Sequence, residues 1–407
     1  MKLLYISQDK YPTYRADVAV LFGKELPKLG MTVDWILQSK IETSVPKLEE
    51  ANESMIYVGG SCNGDSLVSK LKNHWLSLKT DLMIFSFSKK EKYDFIQVKD
   101  KFITAIIGLI AAKLYGSRFI YWMSFPLAEA YLHMYQQKVA RFPILYFIRG
   151  MLSKFLIYKI IMPMSHHVFV QSEQMKLDVM KEGINGENIT PVPMGVDISL
   201  IPYSDTQEAQ SSAANTNIIL YLGTLDRNRH IEFLIQVMDI VKKNKPDAIL
   251  YLVGKGEHPG DEEFITSEIK KYSLEDSVEL TGFLPMDKAW QYVRKADVCV
   301  SPFYPTPILN STSPTKLIEY MAMAKPVVAN DHPEQKLVIS ESQGGLCVPY
   351  EAHEFANAIE YILNNADEGL KMGEKGRRYV QCKRSYEVIA KEVMNKYCDL
   401  NTRSFSN

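Results

Sequence analysis

The sequence has no surplus of charge of either sign. Its 407 residues include 47 Lys and Arg and 48 Asp and Glu, a formal net charge of -1 at pH 7. Nucleic-acid binders concentrate an excess of Lys and Arg where phosphates lie, so no nucleic-acid partner is predicted. With 46% hydrophobic and 23% charged residues, the chain has a globular composition, and its length suggests two or three domains.

Cysteine is scarce, and the N-terminus lacks an export signal. The five cysteines are far apart, and none forms a C-x-x-C pair that would indicate a zinc or redox site. The N-terminal MKLLYIS continues into a strand-like segment, without the apolar core and cleavage site of a signal peptide. These features predict reduced thiols and a cytoplasmic location. No cluster of Asp or His has metal-ligand spacing, so no metal is predicted.

Familiar nucleotide fingerprints are also missing, because neither a G-x-G-x-x-G motif nor a P-loop opens either half. Instead, short apolar runs alternate with helical patterns, which is typical of a parallel α/β sheet. The predicted strands of the first half are KLLYIS, TVDWIL, MIYVG, DLMIFSF, DFIQV, RFIYWMS and HVFVQ. Those of the second half are NIILYLG, AILYLVG, SVELTG, DVCVSP, PVVAN and GLCVPY.

A small, polar stretch, YSDTQEAQSSAANTN, interrupts this alternation. We predict a linker at residues 201–216 between two domains, residues 1–200 and 217–384. Both domains are expected to be doubly wound, Rossmann-like α/β folds. Open sheets bind ligands beyond the carboxyl ends of their strands, so two facing sheets would form one deep cleft.

Residues 130–172 contain no Asp or Glu. Their cations are Lys138, Arg141, Arg149, Lys154 and Lys159. Three charges lie within the apolar window, and each costs about 2.5–3.5 kcal/mol near a bilayer centre, so a membrane span is disfavoured. On one continuous helix, four of the cations would fall within an arc of about 80°, as on an interfacial helix that lies on anionic lipid. The alternative is a core helix whose cations reach solvent.

Two arginines stand at a strand-to-helix corner in the second half. The strand NIILYLG is followed by TLDRNRH and then by a helical pattern, which places Arg227 and Arg229 at the ligand-binding edge of a sheet. Guanidinium groups hold phosphate through a planar fork, so the corner could clamp a diphosphate. Solvated loop arginines are the alternative.

A second corner, NSTSPTKLIEYMA at residues 310–322, predicts a polar loop, a Ser/Thr cap and a helix. The free amides at a helix N-terminus attract anions, and Glu319 one turn later could bind ribose hydroxyls. A capped surface helix is the alternative. Glycines also follow two strands, at Gly254 and Gly282, where a ligand could approach the backbone or the chain could simply turn.

Together these motifs resemble the retaining glycosyltransferases of family four, which share the two-domain GT-B fold. YLGTLDRNRH is similar to the family's G-R-x-x-x-x-K-G region, and SPTKLIEYMAMAKPVVAN to its E-x7-E region and the following strand. LYLVGKG, VELTGFLP and ADVCVSP lie between them in the expected order. The first half is similar more loosely, chiefly through VPMGVDISLI. The final SYEVIAKEVMNKYCDL resembles the last helix of the fold, so residues 385–407 are expected to return to the first domain.

The resemblance implies a nucleotide-diphosphate sugar as donor, no other cofactor, and a product that retains the donor's anomeric configuration. Arg229 falls where the family has its diphosphate-binding Lys, with Arg227 close by, and Lys316 is the third cation expected to act in catalysis. Glu319 matches the Glu that binds the nucleotide ribose. The remaining residues expected to contact the donor are Gly223, Thr224, Gly254, Lys255, Phe283, Leu284, Ser311, Ser313, Pro314, Thr315 and Leu317.

The sequence also departs from the family pattern. Thr224 stands where the family usually has Arg, and Ser311 stands where the first Glu of E-x7-E is expected. The family's catalytic-domain His has no clear equivalent in the first half. The residues predicted to bind the acceptor are Tyr14, Arg15, Asp17 and Ser124, although the first three could equally form a loop and helix cap.

The resemblance implies a hexosyltransferase. Together with the basic apolar segment, it indicates a saccharide or a lipid-linked saccharide as acceptor and a role in surface polysaccharide biosynthesis. Contact of residues 130–172 with anionic lipid would place it at the inner face of the plasma membrane. Alternatives are a non-catalytic, transferase-like subunit that binds nucleotide or a partner enzyme, and a nucleotide-sugar epimerase or phosphorylase on the same fold. A glycoside hydrolase would need a carboxylate pair, and the diphosphate-binding corner does not suit it.

Overall fold

A computed structural model describes residues 1–51, 53–64, 66–137, 142–201, 203 and 217–402. The chain forms two compact units, Met1–Pro193 with Ile389–Asn407, and Met194–Val388. Most of the predicted linker, residues 201–216, lies outside the described residues, as do Lys138 and Arg141.

The first unit is built on an eight-stranded sheet in the order β3-β4-β2-β1-β5-β6-β7-β8. All neighbouring strands are parallel except β3 and β4, which are antiparallel. The strands are β1 Lys2–Tyr11, β2 Thr32–Ser39, β3 Lys47–Ala51, β4 Ser54–Gly59, β5 Phe95–Lys99, β6 Arg118–Met123, β7 His167–Val170 and β8 Ile189–Pro191. Strands β2, β5, β6 and β7 are buried at almost every position, because helices cover both faces of the sheet.

The helices of the first unit are α1 Ala16–Ala19, α2 Leu26–Lys28, α3 Leu67–Asp81, α4 Met83–Lys90, α5 Phe102–Tyr115, α6 Leu127–Gln136, α7 Pro143–Phe155, α8 Met162–Met164 and α9 Glu173–Lys181. Leu21–Glu25 and Leu156–Ile161 are π-helical, and Gly186–Asn188 is a 3-10 turn. The C-terminal helix, α18 Tyr386–Thr402, ends on this unit. There the Tyr397 hydroxyl donates a hydrogen bond to the Gln97 side chain, and its ring lies 4.9 Å from that of Phe95.

The second unit has a six-stranded parallel sheet in the order β11-β10-β9-β12-β13-β14. Its strands are β9 Ile218–Leu222, β10 Ile249–Val253, β11 Val278–Gly282, β12 Val298–Ser301, β13 Val327–Asn330 and β14 Gly345–Val348. Its helices are α10 Glu232–Asn244, α11 Pro259–Lys271, α12 Met286–Lys295, α13 Pro307–Asn310, α14 Thr315–Ala322, α15 Pro333–Ser342, α16 Ala352–Asn364 and α17 Ala366–Tyr379. Ile198–Leu200 and Arg227–Arg229 are 3-10 turns, and Val380–Arg384 is π-helical. The strand order reverses between β9 and β12, which is the point where open sheets of this kind bind ligands.

The predicted pair of doubly wound sheets and the return of the last helix are confirmed. One predicted strand, DLMIFSF, is wrong, because α3 ends at Asp81 and α4 covers Met83–Lys90. Ile84 is buried in the core of the unit, and a short apolar run does not distinguish a buried strand from a buried helix. The short strands β3 and β8 were not predicted, since neither Lys47–Ala51 nor Ile189–Pro191 has a sustained apolar pattern.

The continuous helix considered for residues 130–172 is also wrong. Helix α6 ends at Gln136 and α7 begins at Pro143, a residue suited to the first helical position because it has no N–H group to leave unpaired. The estimate that placed four cations on one arc therefore does not apply. Within the part of the chain that the structure describes, no helix is long and apolar enough to cross a membrane.

Candidate active site

Two glycines allow the backbone to pack closely at the carboxyl ends of β9, β10 and β11 in the second unit. The amide of Gly223, after β9, donates to the carbonyl of Val253 at 2.9 Å, and the amide of Gly254, after β10, donates to the carbonyl of Gly282 at 3.2 Å. The φ angles of Gly223 and Gly254 are +154° and +142°, which favour glycine. A Cβ on Gly254 would lie 1.9 Å from the Gly223 carbonyl oxygen, so no side chain fits there.

Lys316 crosses the end of β9 at this point. A Cβ on Gly223 would lie 2.1 Å from Cε of Lys316 and 2.6 Å from its Nζ. The Lys316 amino group donates a hydrogen bond of 2.8 Å to the Tyr221 hydroxyl and lies 4.6 Å from the centre of that ring. It is also 5.8 Å from the ring centre of Phe303, which follows β12. The structure thus fixes a cation at the β9–β12 reversal, where an anionic ligand would be held.

Helix α14, of which Lys316 is the second residue, begins without a side-chain cap. Its N-cap residue is Pro314, and no side chain accepts a hydrogen bond from the first turn. The predicted Ser/Thr cap is therefore wrong. The Ser313 hydroxyl instead accepts a hydrogen bond from the Met194 amide at 3.0 Å, and the Thr312 hydroxyl donates to the Leu309 carbonyl at 2.7 Å. The first amides of α14 consequently keep their capacity to bind an anion.

Glu319 lies one turn further along α14 and is half-buried. Burial raises the pKa of its carboxyl group, and the charge of Lys316 opposes that rise only in part. None of the described side chains or amides forms a hydrogen bond or ion pair with this carboxylate. A partly desolvated carboxylate without a partner is an acceptor that a ligand hydroxyl can satisfy.

The two arginines of the turn have guanidinium groups in different surroundings. Arg227 donates to the Gly260 carbonyl at 3.3 Å and lies 4.9 Å from the Phe264 ring centre, so it contacts α11. Arg229 is half-buried, and no carboxylate within the described ranges forms an ion pair with it. The turn is itself held by Asp226, whose carboxylate accepts a hydrogen bond from the Glu257 amide at 2.8 Å. Arg229 is therefore the more available cation.

His230 was missed by sequence reasoning. It occupies the left-handed region, with φ of 53°, although it is not glycine. Its ring lies 3.9 Å from the Tyr304 ring, centre to centre, and its Nδ1 is 3.0 Å from a carboxylate oxygen of Glu232. The available signal was its place at the final Gly of the G-R-x-x-x-x-K-G pattern, where a left-handed residue is expected.

The other predicted donor residues differ in what they can offer. Phe283 is exposed, with the Lys255 amino group 5.7 Å from its ring centre, and Leu284 is half-buried. Thr224 is exposed, and its carbonyl accepts a hydrogen bond from Tyr221 at 3.1 Å.

Around the start of α14, most of the predicted donor residues have buried side chains, so a ligand would contact their backbone. Leu317 is fully buried in the core, which leaves only its backbone amide for a ligand. Ser311 is buried, and its hydroxyl donates to the Pro307 carbonyl at 3.4 Å. Pro314 is also buried, and Thr315 is half-buried.

In the first unit, two of the predicted acceptor residues join a buried charge cluster at the ends of β1 and β5. The Arg15 guanidinium donates two hydrogen bonds of 3.0 Å to the Asp17 carboxylate. Lys99, which is fully buried, donates to Asp17 at 2.6 Å and to Asp9 at 3.3 Å. Burial alone would raise the pKa of Asp17, but Lys99 and Arg15 outweigh it and the pKa is lowered. Sequence reasoning missed Asp9 and Lys99, although Lys99 directly follows the predicted strand DFIQV.

Of the other two predicted acceptor residues, Ser124 binds Asp100, which is the neighbour of Lys99 in the chain, and Tyr14 contacts Lys40. The Ser124 amide donates to the Asp100 carboxylate at 2.7 Å, and its hydroxyl donates to the other oxygen of the same carboxylate. Burial raises the pKa of Asp100, against the smaller effects of Lys99 and Ser124. The Tyr14 ring is exposed and lies 4.5 Å from the amino group of Lys40.

Comparison with known proteins finds similarity that covers this site. Residues 204–379 match the family described as glycosyl transferases group 1. An uncharacterized glycosyltransferase of Haemophilus influenzae is 29% identical over 163 residues, which are 39% of this chain and 43% of that protein. The chain thus aligns with less than half the length of that relative.

Two solved structures have the same fold over nearly the whole chain. Sucrose-phosphate synthase from Thermosynechococcus elongatus has a TM-score of 0.76 at 20% identity and covers 99% of this chain and 100% of its own. Anabaena Alr3699/HepE in complex with UDP-glucose has a TM-score of 0.67 at 15% identity, with 98% and 100% covered. These structures show that the chain has the two-domain GT-B fold, and residues 204–379, which include the glycine turns, Lys316 and the start of α14, are similar to the glycosyl transferases group 1 family.

Proposed function

We propose that the protein transfers a hexosyl group from a nucleotide-diphosphate sugar to a saccharide or lipid-linked saccharide, with retention of the donor's anomeric configuration. The observation that carries this proposal is the position of the Lys316 amino group, directly above Gly223 and beside the uncapped start of α14. A fixed cation and free helix amides at the reversal of a doubly wound sheet suit a diphosphate.

The proposed chemistry depends on charge that develops on the leaving group. When the anomeric carbon–oxygen bond breaks, negative charge grows on the departing nucleoside diphosphate, and its oxygen takes up the proton of the attacking acceptor hydroxyl. Cations that are already in place lower this barrier, because they need no reorganisation during the reaction. Lys316 and Arg229 are the proposed catalytic cations, and Arg227 contributes at longer range because it also contacts α11.

The unpartnered Glu319 carboxylate is proposed to accept hydrogen bonds from the ribose of the donor. Phe283, Leu284 and Lys255 are proposed to flank the base. Around the diphosphate and the transferred sugar, the proposed contacts are Gly223, Thr224, Gly254, Ser311, Ser313, Pro314, Thr315 and Leu317. Because HepE is crystallised with UDP-glucose, uridine diphosphate sugars are the first donors to test.

The acceptor is proposed to bind at the carboxyl ends of the first sheet, next to Tyr14, Arg15, Asp17 and Ser124. The charge cluster supports this proposal because it offers both donors and acceptors for sugar hydroxyls. We also propose a role in surface polysaccharide biosynthesis, with contact between residues 130–172 and an anionic membrane surface at the cytoplasmic side. The proposed domains are residues 1–200 with 385–407, and residues 217–384, joined by the linker at 201–216.

Donor binding and sugar transfer are tested separately. Thermal shift with UDP-, GDP- and ADP-sugars identifies the donor, because a ligand stabilises the folded state that binds it. Transfer is then measured with a panel of saccharide and lipid-linked saccharide acceptors, on the natural protein and on Lys316→Met. Binding that Lys316→Met weakens, together with transfer, supports the proposal. Binding without transfer to any acceptor would favour the non-catalytic subunit, which the small Ser311 at the expected Glu position also favours.

A further inference from the structure

Helix α7 packs against the first unit along one narrow strip of its surface, which we call the seam. Its buried residues are Gly150 and Ser153. Gly150 faces α6, where a Cβ would lie 2.7 Å from Cδ2 of Leu132. Large apolar side chains cover the rest of the helix and are exposed, up to 69% for Ile144. We define the α7 ridge as Ile144, Phe147, Ile148, Met151, Leu152 and Phe155, all of which are exposed.

The α7 ridge is continuous and lies opposite the seam. At 100° per residue, its side chains span an arc of about 140° centred on the side away from Gly150 and Ser153. Arg149 lies about 60° beyond one border of the arc, past the exposed Leu145, and Lys154 lies about 20° beyond the other. The Arg149 guanidinium lies 4.5 Å from the Tyr131 ring centre, and the Lys154 amino group is 2.7 Å from a Glu182 carboxylate oxygen. The helix therefore has an apolar face bordered by cations on both sides.

A second apolar surface lies in the same layer of helices. Helix α3 and the π-helical continuation of α7 both pack against α5. Helix α3 exposes Leu67, Val68, Leu71 and Trp75, with 67% of Trp75 exposed. Lys70 and Lys72 are exposed between these side chains. Trp and Lys are both typical of the boundary between acyl chains and head groups.

We propose that the α7 ridge inserts into the head-group region of an anionic bilayer and anchors the first unit there. This inference rests on the proposed membrane contact of residues 130–172, but not on the transferase chemistry. It differs from the sequence expectation, in which a cationic face made the contact. Here the apolar ridge supplies the insertion, and Arg149 and Lys159 attract the anionic head groups.

The chemistry of the ridge favours lipid over another protein. The ridge side chains have no hydrogen-bonding group that would specify a protein partner, and they are exposed on the side of α7 away from the seam. Residues 130–172 contain no Asp or Glu, so no acidic residue of this segment repels anionic lipid. Glu182 and Glu129 are acidic groups near Lys154, and Lys154 forms an ion pair with Glu182. Apolar side chains bordered by cations are typical of helices that lie in a membrane interface.

The test is co-sedimentation of the full chain with vesicles of phosphatidylcholine alone and of phosphatidylcholine with phosphatidylglycerol. Leu152→Glu is compared with the matched control Leu370→Glu on α17, because the two leucines are 52% and 41% exposed. We expect stronger binding to the anionic vesicles. Leu152→Glu should lower the partition coefficient on the order of tenfold, since it removes an inserted side chain and adds a like charge, whereas Leu370→Glu should bind as the natural protein does.

Ile148→Glu provides a second substitution on the ridge, and circular dichroism with thermal unfolding establishes that each variant is folded. Sugar transfer to a soluble acceptor is measured in parallel, so that failure of membrane binding and failure of the proposed activity are distinguished. Binding of folded Leu152→Glu and Ile148→Glu at the natural level would overturn the proposal, as would no binding of the natural protein to either vesicle. Formation of a dimer that both ridge variants abolish would also overturn it, in favour of a second copy of the chain.

Discussion

The Lys316 side chain occupies the volume that a side chain at Gly223 would need, because a Cβ on Gly223 would lie 2.1 Å from Cε of Lys316. The lysine can cross the strand end only because residue 223 has no side chain. Its amino group then reaches the Tyr221 hydroxyl at 2.8 Å. A glycine and a lysine that are far apart in the sequence together fix the position of the proposed catalytic cation.

Gly223→Ala should therefore displace Lys316 and lower sugar transfer on the order of a hundredfold, the typical effect of losing one well-placed electrostatic group. The alanine is strained as well, since φ at residue 223 is +154°. Steady-state kinetics with the identified donor measure the effect. The matched control is Gly260→Ala on α11, where a Cβ would meet nothing within 4 Å. Equal activity of the two alanine variants would contradict the proposed role of Lys316.

Lys316→Met should give a similar loss of transfer together with weaker donor binding, because the methionine keeps roughly the length of the side chain but not its charge. Tyr221→Phe removes only the hydroxyl that accepts the Lys316 hydrogen bond. We expect a smaller loss, about tenfold or less, since the charge remains while its position is less defined. The two variants are compared in one kinetic series. A larger effect of Tyr221→Phe than of Lys316→Met would show that the tyrosine has a role of its own.

Arg229→Ala should lower the rate on the order of a hundredfold, because its guanidinium is half-buried and has no carboxylate partner among the described residues. Arg227→Ala is the internal comparison. Its guanidinium donates to Gly260 and lies over Phe264, so its loss should cost less than about tenfold. Single-turnover measurements separate the chemical step from product release. Turnover of Arg229→Ala within about twofold of the natural protein would exclude it as a catalytic cation.

The positions of most residues in the candidate site could be predicted from the sequence, because they depend on local features. Gly223, Arg229, Lys316 and Glu319 stand at the ends of strands or the starts of helices, and those positions follow from the hydrophobic pattern. The contact of Lys316 with Tyr221 did not follow from it, because it joins residues almost one hundred positions apart. The local pattern also did not predict the hydrogen bond of the Ser313 hydroxyl, which accepts from the Met194 amide instead of capping α14.

The fold was predicted for a similar reason and with similar limits. Apolar runs of five or six residues between helical patterns identified the parallel strands of the second sheet. The same signal failed at DLMIFSF, because a helix buried on one side can be as apolar as a strand. The sequence predicted that a cationic face of residues 130–172 contacts lipid, whereas the structure exposes an apolar side of α7. The pattern could not predict this exposure, because whether an apolar side chain is covered depends on tertiary packing.

Glu319→Gln should weaken binding of the nucleotide sugar, because the ribose loses a charged acceptor. The pKa of Glu319 is raised by burial, so in the free protein its carboxyl takes up a proton at higher pH than an ordinary glutamate does. Donor affinity should therefore fall as pH decreases through that raised pKa, while the Gln variant should show a flatter profile. Isothermal titration across this pH range measures the difference. Parallel pH profiles for the two proteins would contradict the role of Glu319.

The same raised pKa carries a prediction for stability. The native carboxyl of Glu319 holds its proton more tightly than the unfolded one, so its contribution to stability is present at low pH and is lost as pH rises through the raised pKa. Near neutral pH, Glu319→Gln should therefore unfold at a higher temperature than the natural protein while it binds donor less well. Thermal unfolding without ligand tests this directly, and a lower unfolding temperature would show that the carboxylate has a stabilising partner.

Lys99→Met should destabilise the first unit by roughly 3–5 kcal/mol, because it leaves the carboxylates of Asp17 and Asp9 buried near a single remaining cation, Arg15. The pKa of Asp17 is lowered in the native state, so the stability it contributes is present above its unfolded pKa and is lost as pH falls through the lowered value. The deficit of Lys99→Met should therefore be full near neutral pH and should shrink under acid conditions, where the carboxyls are protonated. Urea unfolding, followed by tryptophan fluorescence, measures both proteins at each pH. Lys113→Met, which removes an exposed lysine on α5, is the matched control and should have little effect. A deficit that stays constant into acid would mean that Lys99 contributes packing and not charge.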